Sequence, residues 1–452
     1  MATSPTPLVF KVSRREPVLI TPSEPTPHEL KPLSDIDDQD GLRVQIPLIL
    51  FYTYDPSMQR RDPVKVIKEA LAKTLVFYYP FAGRLREGPK RKLLVECTGE
   101  GILFIEADAD VTLEQFGDAL YPPIPCLEEL LFDVPGSSGM INCPLLLVQV
   151  TRLKCGGIVF AIRLNHTMSD GTGINQFLSA MCEMVHGAQT PSIQPVWERH
   201  VLNARNPPQV TCLHHEYDQL VDDTTDNVPL TKKTHRSFFF GPANISAIRG
   251  FAPLHLRHCS TFDVLTAFLW RCRTIALQPN PNDEMRMLCI VNARNRFNPP
   301  LPRGYYGNCI AYSVVRATAG EISRNSLGFT LELVRKAKAN VTEEYMRSVA
   351  DLLVIKGRPC YTMVRSYLVS DVTRAMFAEM NLGWGKPKYA GPAKGNVASF
   401  QIPYRTKKGE DGVLVTLCLP TPAMERFVKE LDSTFKEQSN GGGNAKSPLS
   451  SL

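Results

Sequence analysis

The sequence predicts a mixed α/β fold in two halves, joined by a long crossover. Strand-like runs alternate with segments of helical periodicity up to about residue 185, and a second alternating stretch starts near residue 236. Between them the periodicity fails and prolines recur. A chain of 452 residues, 43% of them hydrophobic, can bury a core in each half. We therefore predict an N-terminal domain (1–190), a crossover loop (191–235), a C-terminal domain (236–435) and a flexible tail (436–452).

The first half contains clear local signals for individual elements. Residues 44–52 form a β-rich apolar run. Asp62 followed by Pro63 is typical of a helix start, with aspartate as the N-cap and proline in the first turn. Apolar residues then recur at helical spacing, which predicts that one face of this helix is buried. Two strand-like runs follow at 92–97 and 101–107, separated by a tight turn.

A predicted hairpin in the same half leads into a polar loop. Residues 145–150 and 158–164 are typical of buried strands, and 154–157 form the turn between them. The second strand runs into 165–171 (NHTMSDG), after which a helix with an apolar inner face follows. The strand would fix the backbone at this point, and the turn would aim the imidazole of His166 outward.

An imidazole in this position is a candidate general base. Its unperturbed pKa of about 6.5 allows it to take a proton from a hydroxyl near neutral pH, which is typically worth about 10²–10⁴ in rate. Asp170 follows in the same loop and can brace it. By itself an H-x-x-x-D pattern is weak, because a chain with nine histidines can contain it by chance. A structural turn histidine is therefore the alternative interpretation.

The composition narrows the class of protein. Lysine and arginine (51) exceed aspartate and glutamate (45), and the formal charge of +6 is spread out without the basic runs of a nucleic-acid arm. This balance suits a polyanionic small ligand, or is simply a slightly basic surface. The twelve cysteines form no C-x-x-C pair, which favours reduced core residues. We see no signal peptide and no apolar run of membrane-spanning length, so we expect a soluble cytoplasmic protein.

Two short motifs are weaker signals. Residues 450–452 (SSL) loosely resemble the peroxisomal address S-K-L without its basic middle residue, so the peroxisome is the alternative location. Residues 214–216 (HHE) could suggest a metal site. Adjacent side chains diverge, however, and no second ligand pair has suitable spacing. We therefore expect these to be surface loop residues, and no bound metal.

Beyond these local patterns, the sequence resembles the BAHD acyltransferases of plants in an ordered set of motifs. Residues 166–171 (HTMSDG) resemble that family's H-x-x-x-D-G, and 381–385 (NLGWG) resemble its second signature, D-F-G-W-G. Residues 305–308 (YYGN) lie between them and resemble Y-F-G-N. The blocks 75–85 (LVFYYPFAGRL) and 260–271 (STFDVLTAFLWR) are also similar to family blocks. The resemblance extends over the chain from about residue 8 to residue 431, with the blocks in family order.

The resemblance implies a fold like that of chloramphenicol acetyltransferase, with two similar domains and a solvent channel between them. Acyl-CoA would enter the channel from one face as a co-substrate and a small alcohol from the other, so that they meet at His166. No permanently bound cofactor and no metal is implied, and family members are usually monomers. Asp170 would point away from the channel and pair with an arginine. Arg294 and Arg296 are the candidate partners of Asp170 and Asn381, with the assignment left open.

The resemblance also implies roles for the second signature. The indole N–H of Trp384 is a candidate donor to the tetrahedral oxyanion. Alternatively, this side chain packs at the domain interface, and Gly383 and Gly385 permit a tight backbone. Asn381 stands where the family has aspartate, which removes the charge-assisted part of a pairing with arginine. The segment 391–396 also looks shorter than in relatives, so we expect reduced stability or activity.

Candidate substrates follow from two further stretches. Residues 33–40 (LSDIDDQD) and 352–359 (LLVIKGRP) are typical of the family's benzyl alcohol benzoyltransferases, and methanol anthraniloyltransferases look almost the same. We expect benzoyl-CoA, or another small acyl-CoA, with benzyl alcohol or a short alcohol. A pocket that differs by one methylene discriminates by only about 1–3 kcal/mol, so the choice stays open. Ser260 and Ser370 lie in blocks that line the channel in relatives, and each is either a CoA contact or an ordinary cap.

Two other classes of function could use the same residues. A thioesterase would use His166 to activate water, and only a transferase would form an ester. A non-catalytic relative that binds acyl-CoA is the second alternative, which the altered position Asn381 makes conceivable. The presence of both His166 and Asp170 argues against it.

Overall fold

Two mixed β-sheets with packed helices form the body of the protein. The structure is a computed structural model and describes residues 8–117, 120–218, 232–395 and 398–439. In these residues the strands are β1 (Val12–Arg14), β2 (Val18–Ile20), β3 (Leu30–Pro32), β4 (Gln45–Tyr52), β5 (Arg84–Glu87), β6 (Leu93–Glu96), β7 (Ile102–Ala109), β8 (Leu146–Leu153), β9 (Ile158–Asn165), β10 (Lys233–Phe240), β11 (Glu284–Asn292), β12 (Ile310–Thr318), β13 (Ser366–Asp371), β14 (Tyr389–Pro392), β15 (Ser399–Arg405) and β16 (Asp411–Pro420). The α-helices are α1 (Pro63–Phe77), α2 (Leu127–Leu130), α3 (Gly171–Val185), α4 (Pro242–Gly250), α5 (Thr261–Leu277), α6 (Ala319–Arg324), α7 (Leu327–Asn340), α8 (Glu343–Ile355) and α9 (Thr421–Ser439).

The first sheet has the strand order β1-β7-β8-β9-β4-β14, and β2 also pairs with β7. Strands β7 and β8 run parallel, whereas β8, β9 and β4 are antiparallel neighbours. Side chains alternate between its faces: Val148 and Phe160 point into the core that α1 and α3 cover, and Leu147 and Val159 point to the opposite face. A small sheet of β3, β6 and β5 also belongs to this half.

The second sheet has the order β10-β16-β15-β13-β11-β12. Strand β13 pairs in parallel with both β11 and β15. Helix α5 is buried along most of its length and carries the fully buried Trp270 in the core of this half. A third apolar cluster joins the two sheets, with Phe51 and Leu147 from the first meeting Phe239 and Leu414 from the second. The two halves are therefore joined by an apolar cluster to which both sheets contribute side chains.

The sheets do not divide the chain at the predicted domain boundaries. Strand β14 lies within the predicted C-terminal domain, yet it pairs with β4 of the first sheet, with Tyr389 opposite Phe51. Phe377, Met380 and Trp384, which precede β14, lie in the core of the first half. The chain crosses back because these apolar side chains complete that core. Smaller differences are that β10 begins at residue 233 rather than 236 and that α9 continues past the predicted end at 435.

Several local predictions are confirmed in the first half. Helix α1 begins directly after Asp62, whose side chain accepts a hydrogen bond from the backbone N–H of Val64. The predicted hairpin is formed by β8 and β9, and α3 follows it. All twelve cysteines lie in the described residues and are free thiols. Among the helices that the structure describes, none is long and apolar enough to cross a membrane.

Candidate active site

His166 lies where strand β9 ends and a short 3-10 helix (His166–Met168) begins. Its backbone N–H donates to the carbonyl oxygen of Val44, just before β4, at 2.9 Å. Asn165 caps the short helix, since its Oδ1 accepts from the backbone N–H of Thr167 at 3.2 Å and from its hydroxyl at 2.7 Å. Strand pairing before the histidine and a cap around it therefore fix its backbone.

The imidazole ring of His166 is half-buried, and a contact of its Nδ1 favours one tautomer. Its Nδ1 lies 3.1 Å from the carbonyl oxygen of Ser169, and because a carbonyl can only accept, Nδ1 carries the hydrogen. Nε2 is then the nitrogen with a free lone pair. Burial lowers the pKa of His166 below its usual 6.5, although hydrogen bonds and the charge of Asp170 oppose this. The neutral ring is favoured near pH 7, which is the state that a general base requires.

Asp170 is a buried brace for the loop. Its Oδ1 accepts from the backbone N–H groups of Thr172 and Gly173, both at 3.0 Å, and so caps α3. Arg294 donates to both carboxylate oxygens, at 2.7 and 2.9 Å, and Cys309 donates its backbone N–H at 3.0 Å. Burial pushes the pKa of Asp170 upward, but Arg294 and the backbone donors outweigh it and hold the pKa below its usual 3.8. These partners occupy both oxygens, so Asp170 serves the loop rather than the reacting proton.

Residues 305–309 of the second half close over the His166 loop. The Nδ2 of Asn308 donates to the carbonyl oxygens of His166 at 2.8 Å and Thr167 at 3.3 Å. The hydroxyl of Ser169 donates to the carbonyl oxygen of Tyr306 at 2.9 Å. Gly173 lies so close to Tyr306 that a Cβ there would collide with its backbone oxygen. The site therefore stands at the junction of the two halves.

Two residues to which the sequence assigned no role lie beneath this loop. Arg199 donates through Nη1 to Oδ1 of Asp37 at 2.8 Å and through Nη2 to the carbonyl oxygen of Met168 at 2.8 Å. The same oxygen of Asp37 accepts from the backbone N–H and the Nδ2 of Asn308, at 2.8 and 2.9 Å. The side chains of Arg199 and Asp37 are 1% and 0% exposed. Asp37 lies in an acidic stretch (LSDIDDQD) that gives no sign of burial, and its partner 162 residues away is not visible in the sequence.

The two stretches interpreted as substrate markers contact each other. Arg358, from 352–359, donates to Asp38 at 2.7 Å and to Asp35 at 3.2 Å, both from 33–40. All three side chains are nearly buried. Burial raises the pKa of Asp38, and the charges of Arg358 and Arg43 only partly offset this. The markers therefore join the two halves by a buried ion pair, which is a structural role.

Trp384 lies in the apolar core of the first half, only 4% exposed. Its neighbours Gly383 and Gly385 have φ values of +98° and +72°, which side chains with a Cβ rarely adopt. The backbone at both positions is therefore one that glycine adopts without strain. The surroundings of the indole ring favour the packing role over the oxyanion role.

The predicted pairing of Asn381 with an arginine is wrong. Its Oδ1 instead accepts from the backbone N–H of Gly383 at 2.8 Å, as a local turn. Of the two candidate arginines, Arg294 is the partner of Asp170, and Arg296 is exposed on the second half. The second signature lies in the core of the first half, where Gly383 approaches Val185 of α3. Residue 396 of the short segment lies outside the described residues, while Nζ of Lys394 lies 3.1 Å from Oε1 of Glu128.

The two serines proposed to contact CoA have different positions. Ser260 is the N-cap of α5: its hydroxyl accepts from the backbone N–H of Asp263 at 3.1 Å and donates to that carboxylate at 2.7 Å. Its hydroxyl is therefore already used by a capping box. Ser370 lies on β13, opposite Phe400 of β15, and is half-buried. Its contact with CoA stays a prediction.

His214 and Glu216 are buried, so the expectation of surface loop residues is wrong for both. The ring of His214 lies between a carboxylate oxygen of Glu216 at 3.0 Å and the hydroxyl of Ser348 at 2.9 Å. These bonds attach the crossover to α8. Within the described part of the chain, no cluster of three or more His, Cys, Asp or Glu side chains is arranged to hold a metal ion.

Two cavities lie away from the histidine. The larger, of about 680 Å³, lies between the loop at 89–92, the crossover and the end of α8, and the smaller, of about 300 Å³, lies beside Glu216 and Tyr345. His166 lines neither of them. The channel that the resemblance implies therefore stays a prediction.

Comparison with known sequences covers almost the whole chain. The profile of the family described as "Transferase family" matches residues 10–434. Benzyl alcohol O-benzoyltransferases of Nicotiana tabacum and Petunia hybrida are each 65% identical over 435 residues, which is 95% of this chain and of each relative. Alcohol acyltransferase 16 of Actinidia chinensis is 55% identical over 445 residues, covering 98% of this chain and 97% of the relative.

Solved structures of similar fold are more distant in sequence. Vinorine synthase has a TM-score of 0.71 at 23% identity, covering 92% of this chain and 96% of that chain. TRI101 of F. graminearum, in complex with coenzyme A and deoxynivalenol, has a TM-score of 0.72 at 18% identity, covering 90% and 98%. At these identities the likeness concerns the fold, and it confirms the predicted two-domain α/β architecture.

Proposed function

The chain belongs to the BAHD acyltransferases, and we propose that it transfers a benzoyl or similar acyl group from acyl-CoA to a small alcohol such as benzyl alcohol, forming an ester. It is a transferase by its family. The observation that carries the proposal is the contact of 3.1 Å between Nδ1 of His166 and the carbonyl oxygen of Ser169, which places the hydrogen on Nδ1 and leaves the lone pair of Nε2 to accept a proton. The names of relatives that are 65% identical support the benzoyl and benzyl choice.

The reaction needs one proton acceptor and one activated carbonyl. Nε2 of His166 takes the hydroxyl proton while the alcohol oxygen attacks the thioester carbonyl carbon. The tetrahedral intermediate then collapses, the carbon–sulfur bond breaks, and the CoA thiolate takes the proton back from the imidazolium. The bond from Nδ1 to the carbonyl of Ser169 stabilises that imidazolium. No acyl-enzyme is needed, because the thioester is already activated.

The donor to the oxyanion is a separate question. The resemblance to the family implies the indole N–H of Trp384 as the donor. The burial of this side chain among apolar side chains supports a packing role instead. We propose that Trp384 mainly stabilises the apolar core of the first half. Asp170 and Arg294 likewise act by holding the loop.

The acyl group and the alcohol are proposed at two levels of detail. An acyl-CoA and a small alcohol follow from the family and from relatives named alcohol acyltransferases. Benzoyl-CoA with benzyl alcohol is the finer proposal. A methanol anthraniloyltransferase or an aliphatic alcohol acyltransferase is the alternative within the family, since small differences in a pocket discriminate by only about 1–3 kcal/mol.

The experiment is to incubate the purified protein with benzoyl-CoA and a panel of alcohols, and to measure free thiol and ester together. The proposal expects equal amounts of both products with benzyl alcohol. Replacing His166→Ala should reduce turnover by about 10²–10⁴, the usual worth of a general base. His186→Ala is the matched control, because its ring lies at the end of α3 and is exposed.

Three outcomes would contradict the proposal. Thiol release with benzoic acid instead of ester would identify a thioesterase. Acyl-CoA binding without turnover on any alcohol would identify a non-catalytic relative. Equal thiol release by the wild type and His166→Ala would show that His166 is not the base.

Location and assembly are proposed as well. We propose a cytoplasmic monomer, with acyl-CoA as a co-substrate and volatile esters as the products. The peroxisomal alternative rests on residues 450–452, which lie outside the described residues. Light scattering on the purified protein and imaging of a protein with a fluorescent N-terminal fusion would test the two claims.

A further inference from the structure

Resting on His166 as the general base of the proposed function, we propose that Asp37 is a positioning residue for the reaction. It holds the catalytic loop in place through two intermediaries, Arg199 and Asn308. Asp37 lies more than a hundred residues before the loop in the sequence. From the sequence, its stretch is interpreted only as a marker of the substrate.

Two side chains bind the three carbonyl groups of the short helix that carries the histidine. Asn308 donates through Nδ2 to the carbonyl oxygens of His166 and Thr167, at 2.8 and 3.3 Å. Arg199 donates to the carbonyl oxygen of Met168 at 2.8 Å. Three consecutive carbonyls of the loop are therefore held by two side chains from elsewhere in the chain.

Both of these side chains converge on one oxygen atom. Oδ1 of Asp37 accepts from Nη1 of Arg199 and from both the side-chain and backbone N–H groups of Asn308, all within 2.9 Å. Its other oxygen accepts from the backbone N–H and hydroxyl of Ser34, at 3.0 and 2.6 Å. Every oxygen of the carboxylate is thus engaged, and charge-assisted bonds of this kind are stronger than neutral ones.

The side chains of Arg199 and Asp37 have little freedom to move. The guanidinium of Arg199 lies 4.4 Å from the ring centroid of Trp197 and 5.0 Å from that of Tyr306. The side chains of Asp37 and Arg199 are both buried, so water does not replace a lost bond easily. The network is therefore rigid enough to define where the loop lies.

A shift of the loop would move the imidazole directly. Nδ1 of His166 is held by the carbonyl oxygen of Ser169, in the same loop. Misplacing a reacting group by about 1 Å can reduce the rate about 10²-fold, while substrates can still bind. The expected signature of lost positioning is a fall in kcat with little change in KM.

The test compares two variants with a neighbouring control. Asp37→Asn removes the charge that orients both intermediaries, and Asn308→Ala removes the bonds to the loop while the Asp37–Arg199 pair stays intact. Asp38→Asn is the matched control, because Asp38 is equally buried and also pairs with an arginine, but its partners are Arg358 and Arg43. We expect kcat to fall about 10- to 100-fold in the first two, with KM for both substrates within about twofold. The control should keep kcat within about threefold.

Melting temperatures and circular dichroism of all three variants show whether each is folded. If Asp37→Asn does not fold, Asn308→Ala decides, since it leaves no buried charge unpaired. Equal loss of kcat in Asp38→Asn, or full kcat in Asn308→Ala, overturns the positioning role. His166→Ala, measured alongside, separates the claims: full activity there overturns the proposed base, whereas a loss there with unchanged kcat in Asn308→Ala overturns the positioning role alone.

Discussion

The two signature segments, 166–171 and 381–385, are both short and contain glycine. Their surroundings differ. Around the first, the carboxylate of Asp170 and the backbone carbonyls of residues 166–168 bind polar groups of the second half or the crossover. The second packs its tryptophan into the apolar core of the first half, with Asn381 bonded locally to Gly383. One signature is thus a polar joint between the halves and the other an apolar anchor, so the two signatures of one family have different physical roles.

The largest effect should come from breaking the polar joint. Asp170→Asn retains an oxygen that can cap α3 but leaves the buried charge of Arg294 without its partner. We expect the free energy of unfolding to fall by about 3–5 kcal/mol at pH 7, as measured by urea denaturation. Asp133→Asn, which removes an exposed partner of Arg163, is the control and should cost about 1 kcal/mol or less.

The same pair also has a definite pH dependence. The pKa of Asp170 is lower in the folded protein than its usual 3.8, so its contribution is complete above the unfolded pKa and is lost as the pH falls toward the folded value. The difference between wild type and Asp170→Asn should therefore be constant from pH 5 to 8, to within about 0.5 kcal/mol, and shrink below about pH 4. A difference that grows on acidification would contradict the pairing.

Breaking the apolar anchor should lower the free energy of unfolding by less than breaking the polar joint. It should leave the rate of the reaction nearly unchanged. Trp384→Phe removes buried volume from the first core and should cost about 1–3 kcal/mol. Trp270→Phe makes the same change in the second core and serves as the control. Both should keep kcat within about fivefold. A fall of about 10²–10³ in kcat for Trp384→Phe alone would instead assign its indole N–H to the oxyanion.

The pH dependence of activity tests the protonation state of His166 in the polar joint. Because burial lowers the pKa of His166 below 6.5, the ring stays neutral to a lower pH than free imidazole does. The acid limb of kcat/KM should accordingly have its midpoint below pH 6.5. The measurement is a pH profile with subsaturating benzoyl-CoA, and a midpoint above 6.5 would mean that another group controls activity.

The smallest effect is expected at the departure from the family pattern. Asn381→Asp keeps an oxygen that accepts from the backbone N–H of Gly383, and no arginine in the described residues bonds to this side chain. Stability should change by about 0.5 kcal/mol or less and turnover should be unchanged. A stabilisation above about 1 kcal/mol would instead indicate that an aspartate here pairs with an arginine.

Much of the architecture could be predicted from local patterns. The N-cap at Asp62, the hairpin before His166 and the helix after it depend on neighbouring residues, so periodicity and capping chemistry suffice to find them. The domain boundaries were less predictable, because strand β14 leaves its own half to pair with β4. Burial of His214 was missed for the same reason, since its partner Ser348 comes from a distant helix.

The residues alone established the alternation of elements, the reduced cysteines, the candidate base and, through the ordered motifs, the family. These features are local or are carried by residue identity. The folded chain decided which arginine pairs with Asp170, where Trp384 packs, and that Asp37, Arg199 and Asn308 meet beneath the histidine. Such contacts join residues far apart in the chain, and their geometry depends on how the two sheets pack, for which no local pattern provides a signal.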